Sequence, residues 1–150
     1  MNPFRPVVRF ANCVIAQFTW PQSLFLLFAR IFVGLAFFRA GLTKIRDWET
    51  TLLLFEAEHP VPLLDPVVAA WAGTAGELVL PLLLFAGIAT RFGAAGLFIV
   101  NAVAVISLPD MAPAALIEHQ LWGALLLMVV LWGPGRLAVD HWLARSGAGR

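Results

Sequence analysis

The run from Ser23 to Lys44, SLFLLFARIFVGLAFFRAGLTK, constrains this chain more than any other stretch, because it is long enough to cross a bilayer yet carries two arginines. A hydrocarbon core of roughly 30 Å takes about 20 apolar residues in a helix, and Ser23 to Leu42 supplies that length. At about 100° per residue, Arg30, Gly34, Phe37, Gly41 and Lys44 share one stripe. The small residues in that stripe let a neighbouring helix approach a buried guanidinium. Arg39 falls on the opposite face near the outer end, where it can snorkel. The remainder fits this frame, since 61% of residues are apolar and 13% charged, far from a soluble average.

Composition also excludes several classes. A net charge of +1 leaves no electrostatic footprint for nucleic acid, and no basic stripe with interleaved aromatics occurs. The single cysteine, Cys13, excludes an internal disulfide, a CxxC pair and an iron-sulfur site built by this chain alone. It reads as a small apolar filler. The first apolar run is too long for a signal-peptide core and no A-x-A-like site follows, so the first span is expected to serve as an uncleaved anchor.

The pattern predicts an all-α integral membrane four-helix bundle forming a single domain. Its spans are expected at about residues 23–42, 66–88, 92–108 and 114–132, with a polar tail over 133–150. Residues 1–22 carry Arg5 and Arg9 and an apolar run that Pro21 closes, too short to span, and are expected to form an N-terminal interfacial helix. Between the first two spans, Thr43 to Pro66 holds Lys44, Arg46, Asp47, Glu49, Glu56, Glu58, His59 and Asp65 and cannot lie in lipid. Asp47 can cap a short amphipathic helix there, with Trp48, Leu52 and Phe55 resting on the bilayer surface. Thr90 and Arg91 make a tight turn, so the second and third spans are expected as an antiparallel hairpin. Six lysines and arginines on the side of the termini against two on the other predict that both termini are cytoplasmic.

Ionisable residues at membrane depth are expensive and point to function or to fixed packing. With outer helix ends at Leu42 and Pro66, Arg30 and Glu77 lie at nearly equal depth, and an ion pair between them is predicted. Pro81 frees the carbonyl of Glu77 for a side chain, water or ligand. Two readings stay open: a ligand or proton site, or a pair that only registers two helices. Asn101 reads as an interhelical hydrogen-bonding group. Glu118 and His119 are candidates for proton exchange near the outer face, or an interfacial anchor. His141 lies across the membrane from His59 and His119, which excludes a bis-histidine haem. A metal site of His59, His119 and outer carboxylates has no motif behind it, and none is predicted. Most of the six tryptophans are expected in an interfacial belt.

These residues resemble the DoxX family of small four-span membrane proteins, over roughly Leu24 to Leu143. The likeness rests on Arg30 with Gly34 and Gly41-Leu42-Thr43-Lys44, then Glu77, Leu82-Leu83-Leu84 and Gly87, then Thr90-Arg91, and finally Gly133-Pro134-Gly135-Arg136 with Asp140. The pieces Lys44-Ile45, Asp47-Trp48-Glu49, Leu54-Phe55 and Val61-Pro62-Leu63-Leu64 look like a branch often encoded beside small metal-stress peptides and their modifying enzymes. The resemblance implies a bacterial inner-membrane protein tied to respiratory or thiol redox systems, with a quinone as carrier and a partner supplying the other half of the exchange.

Three functions follow as expectations. In the first, an apolar crevice holds a quinone ring, Arg30 and Glu77 act on one carbonyl with Asn101 nearby, and Glu118 with His119 connects to the outer side. In the second, the chain is a non-enzymatic anchor or accessory factor whose outer acidic segment recruits a partner protein. In the third, it binds or transports a small solute, for which a homo-oligomer is expected through the small residues of the second span.

Overall fold

The computed structural model describes residues 5–57 and 61–147, with side chains from residue 19 onward. Among these residues it is all-helical, with α1 (Arg5–Arg46), α2 (Trp48–Ala57), α3 (Pro66–Ala86), α4 (Thr90–Ile106), α5 (Pro113–Trp132) and α6 (Val139–Gly147). Three helices are long and apolar enough to cross a bilayer: α1 from Thr19 to Arg46, α3 and α5. The apolar α4 has 17 residues, about 25 Å at 1.5 Å per residue. α1 packs on α3, α3 on α4, α4 on α5 and α5 back on α1, so α3 and α5 stand diagonally across a ring. The end carrying α2 and the α4–α5 turn is called distal here, and the end carrying the α3–α4 turn and α6 proximal.

The helix ends follow from local chemistry. Asp47 caps α2 by accepting from the Thr50 backbone N–H at 3.1 Å, as its position predicts. Asp65 caps α3 through the N–H groups of Val67 and Val68, with Pro66 at the first helical position. Gly87 ends α3 in the left-handed region, φ 69°, its N–H reaching the Leu83 carbonyl at 2.9 Å. The hairpin of α3 and α4 is present, but its turn is Gly87 to Ala89, two residues earlier than expected, because Thr90 already belongs to α4.

Two expectations need correction. The lead-in is not a separate element closed at Pro21, because α1 runs without a break through that proline. A proline removes one backbone hydrogen bond, and the long helical flanks carry the helix across it. The apolar face of α2 is committed to the bundle rather than left as a free surface. It turns onto α3, where Trp48 meets Trp71 with ring centroids 4.3 Å apart and Phe55 faces Gly73. The core is built from Leu26, Ala29, Val33 and Phe37 of α1, of which Phe37 belongs to the expected stripe, against Leu84, Leu97, Leu126 and Val129.

Candidate functional site

The α1–α3 register decides which polar groups meet. A Cβ on Gly34 would lie 2.5 Å from the Phe85 ring, and one on Gly41 would lie 3.1 Å from the Cβ of Glu77, so these glycines let the helices touch. Gly41 therefore stands opposite Glu77, and the position that Arg30 was expected to hold is displaced by roughly 11 residues, or about 16 Å. The Arg30 to Glu77 ion pair does not form. Its prediction set the outer ends of two helices, Leu42 and Pro66, at one height, whereas the Gly41 to Glu77 contact puts the start of α3 beyond even the Arg46 end of α1.

Arg30 instead works at the proximal end, where it is 1% exposed. Its Nε donates to the Leu84 carbonyl at 2.9 Å and its Nη1 to the Pro134 carbonyl at 2.8 Å. Leu84 O is free because the N–H of Ile88 bends back to Leu83 at the end of α3. A cation there also complements the negative end of the helix. Beside it, Asp140 of α6 accepts from the N–H groups of Ala89 and Thr90, both at 2.8 Å, and so caps α4, whose own Ala89 has no side-chain acceptor. Burial would raise the Asp140 carboxyl, but those two N–H groups and the nearby Arg30 hold it below the usual carboxylate range. Ser23 joins the same end, donating to the Thr19 carbonyl and accepting from the Arg136 N–H. This cluster ties α1, α3, α4 and the segment after α5 together.

The other polar groups gather in the distal half, around a cavity of about 740 Å³. That volume suits a small-molecule ligand. Its walls are mainly apolar, with Phe37, Phe55 and Trp122 among the larger side chains. Glu77 lines it from α3 and Lys44 from α1, with Lys44 Nζ donating to Glu77 Oε1 at 2.5 Å. Glu77 is 6% exposed, and its Oε2 has no partner among the described residues. Lys44 also sits over the Phe55 ring, 5.6 Å from its centroid. The hydroxyl of Ser107, another lining residue, is buried and has no partner among the described residues.

His119 reaches the cavity from α5 and is held by Asn101 of α4 through two contacts. Asn101 Nδ2 donates to the His119 carbonyl at 3.0 Å, and its Oδ1 faces His119 Nδ1 at 2.8 Å. The expectation that Asn101 bonds between helices is met. Glu118 points outward, exposed, and makes no hydrogen bond among the described residues. Of the expected set, Glu77 and His119 thus line one chamber, Asn101 supports it, and Arg30 lies outside it. Lys44 is the group that the sequence reading did not assign to the site. Its signal was present, because Lys44 stands one turn beyond Gly41 on the buried stripe. His59 lies outside the described residues, and no group of three His, Cys, Asp or Glu side chains able to hold a metal occurs among those described.

The sequence profile of DoxX matches residues 25–110, which contain α2, α3, α4 and most of the α1 span. No curated protein and no solved structure is a significant match to the chain. The matched region covers more than half of the 150 residues and includes Lys44, Glu77 and Asn101. On that match, and with three apolar helices long enough to span a bilayer, the chain is a membrane protein belonging to the DoxX family.

Proposed function

We propose that this protein is a quinone-interacting subunit of a membrane redox system, that the distal cavity holds the quinone ring, and that a partner protein supplies the other half of the exchange. The observation that carries this reading is the cavity itself. It is an apolar chamber large enough for a substituted ring, with aromatic side chains in its walls and two polar stations, Lys44 with Glu77 and His119 with Asn101, on different helices. A ring with an oxygen at each end can engage two such stations at once. Lys44 and Glu77 act on one oxygen, and His119 exchanges a proton at the other, with Glu118 leading outward. Arg30 serves the fold rather than the ligand. In this reading α4 is a fourth span, both termini are cytoplasmic, and the protein sits in a bacterial inner membrane with the cavity towards the outer face.

The test is organic extraction and mass analysis of the protein purified gently from its native membrane, beside Glu77→Gln and Ala104→Phe. Ala104 lines the cavity, so the phenylalanine fills space there while leaving Lys44 and Glu77 themselves unchanged. Quinone enriched over bulk lipid in the parent and lost in both variants supports the reading. Equal, lipid-like quinone in all three overturns it.

One observation favours a second reading, that of an accessory anchor. Leu63, in the segment between α2 and α3, is fully exposed at φ 68°, a conformation unfavourable for leucine, and Leu53 and Leu64 are exposed as well. A partner docking at the distal end would cover these side chains. Proximity labelling centred on residue 63 that recovers one stoichiometric protein, together with no quinone, favours this second reading.

A further inference from the structure

The polarity of the two stations distinguishes the redox forms of the ligand, an inference that rests on the reading of the cavity as a quinone site. Glu77 is paired with the Lys44 ammonium through Oε1, so its carboxylate can only accept, and Oε2 is an acceptor with no donor among the described residues.

The second station is fixed by Asn101. A carbonyl oxygen cannot donate, so the Asn101 atom 3.0 Å from the His119 carbonyl must be the NH2 group. Oδ1 of Asn101 is then the atom facing Nδ1, and that contact is a hydrogen bond only when Nδ1 carries the proton. In the neutral ring this leaves Nε2 as a bare acceptor. His119 lines both the cavity and a separate groove between α4 and α5, and with Nδ1 held by Asn101, Nε2 is the ring nitrogen left for a cavity ligand.

We propose that the cavity prefers the reduced, dihydroxy aromatic form of its ligand over the dione, and that Asn101 is the positioning residue that sets this preference by fixing the His119 tautomer. A hydroquinone brings two O–H donors to two free acceptors, Glu77 Oε2 and His119 Nε2. A dione can accept from the Lys44 ammonium at the first station but leaves Glu77 Oε2 and His119 Nε2 without a donor, which a buried atom such as Oε2 tolerates poorly. The Ser107 hydroxyl can donate or accept and discriminates neither form. Glu77 on α3 and His119 on α5 belong to diagonal helices, as a ligand with oxygens at opposite ends of a ring requires.

The experiment uses the full chain in lipid nanodiscs under anaerobic conditions, titrated with a short-chain ubiquinol and the matching ubiquinone. Binding is read by tryptophan fluorescence, with Trp122 in the cavity wall as reporter. The ubiquinol is expected to bind about tenfold more tightly, the worth of one well-made hydrogen bond. In Asn101→Leu that preference should fall to about twofold or less while the dione still binds, an outcome that loose packing alone would not produce. ¹⁵N NMR of histidine-labelled protein, with His59 and His141 changed to Gln, should show an unprotonated Nε2 and a protonated Nδ1 at neutral pH. Should Asn101→Leu fold poorly, that spectrum and the wild-type affinity ratio decide the matter. Equal affinities, or a protonated Nε2 with a bare Nδ1, overturn the preference and leave the quinone reading standing. Binding of neither form overturns both. A tenfold preference that survives in Asn101→Leu removes Asn101 from the account.

Discussion

Lys44 and Glu77 are unequally buried, with side chains 27% and 8% exposed, and this asymmetry sets what each contributes. Removing Lys44 strands a buried carboxylate, whereas removing the charge of Glu77 leaves an ammonium whose long stem can carry it towards the mouth of the cavity. Lys44→Met should therefore cost about 3–5 kcal/mol of stability, Glu77→Gln clearly less, and the double variant should recover most of the loss. Reversible unfolding in mixed detergent measures all three, and equal costs for the two single variants would sink this assignment. Arg30 makes a different prediction. Its planar fork reaches two carbonyls on separate segments from two nitrogens in fixed geometry, which a compact ammonium does not reproduce. Arg30→Lys should lose about 1–3 kcal/mol for a carbonyl left unpaired, while ligand content stays at the parent level. A variant of unchanged stability that loses its ligand would return Arg30 to the site.

At the scale of elements, the proximal end is held by a helix cap supplied from elsewhere in the chain. Asp140 of α6 closes the first turn of α4, so α6 is a working part of the fold rather than a loose tail. The sequence placed Asp140 in a polar tail because nothing local indicates that a residue 50 positions away will cap Thr90. Asp140→Asn should cost about 1 kcal/mol, the usual worth of a cap. The pH dependence follows from the direction of its shift. A carboxyl held below its ordinary value stabilises the fold above the unfolded value near pH 4, and that contribution is lost as pH falls through the lower, folded value. Acid titration of unfolding should show this loss in the parent and a shallower one in Asp140→Asn. Gly87→Ala should be more damaging. Its φ of 69° disfavours any side chain, and a Cβ would lie 2.8 Å from Ala138 and 2.9 Å from Arg30 Nη2.

The same scale shows why the charge partners were misread. Helix existence, the Asp47 cap, the α3–α4 hairpin and the buried α1 stripe all depend on spacing within one segment and were legible. The pairing of Arg30 with Glu77 depended on the relative height of two helices, which no local pattern carries. That height is set by Gly34 against Phe85 and Gly41 against Glu77. Asn101 was legible as a polar group that needs a partner in an apolar helix, but its choice of His119 required the packing of α4 on α5. The turning of α2 onto α3 was hidden for a similar reason, since an amphipathic face reads the same whether it covers lipid or protein.

For the whole molecule, the ring of α1, α3, α4 and α5 separates two tasks. The proximal end is locked by Arg30, Asp140 and Ser23, and the distal end is opened by small residues into a chamber roofed by α2. Single cysteines at Ile88 and Trp142, both exposed, should react with an impermeant thiol reagent only from the cytoplasmic side, and one at Leu63 only from the outside. Labelling of all three from one side would contradict the proposed topology. The central claim, that the distal cavity is a quinone site, is tested most directly by photolabelling the nanodisc-embedded protein with an azido-quinone and mapping the modified residues by mass spectrometry. Label on Phe55, Val103 or Met111, lining residues of α2, α4 and the α4–α5 turn, displaced by unlabelled quinone and absent in Ala104→Phe, is the predicted result. Label confined to the exposed residues Phe92 and Leu131, which lie outside the cavity lining, or label that unlabelled quinone does not displace, would contradict it.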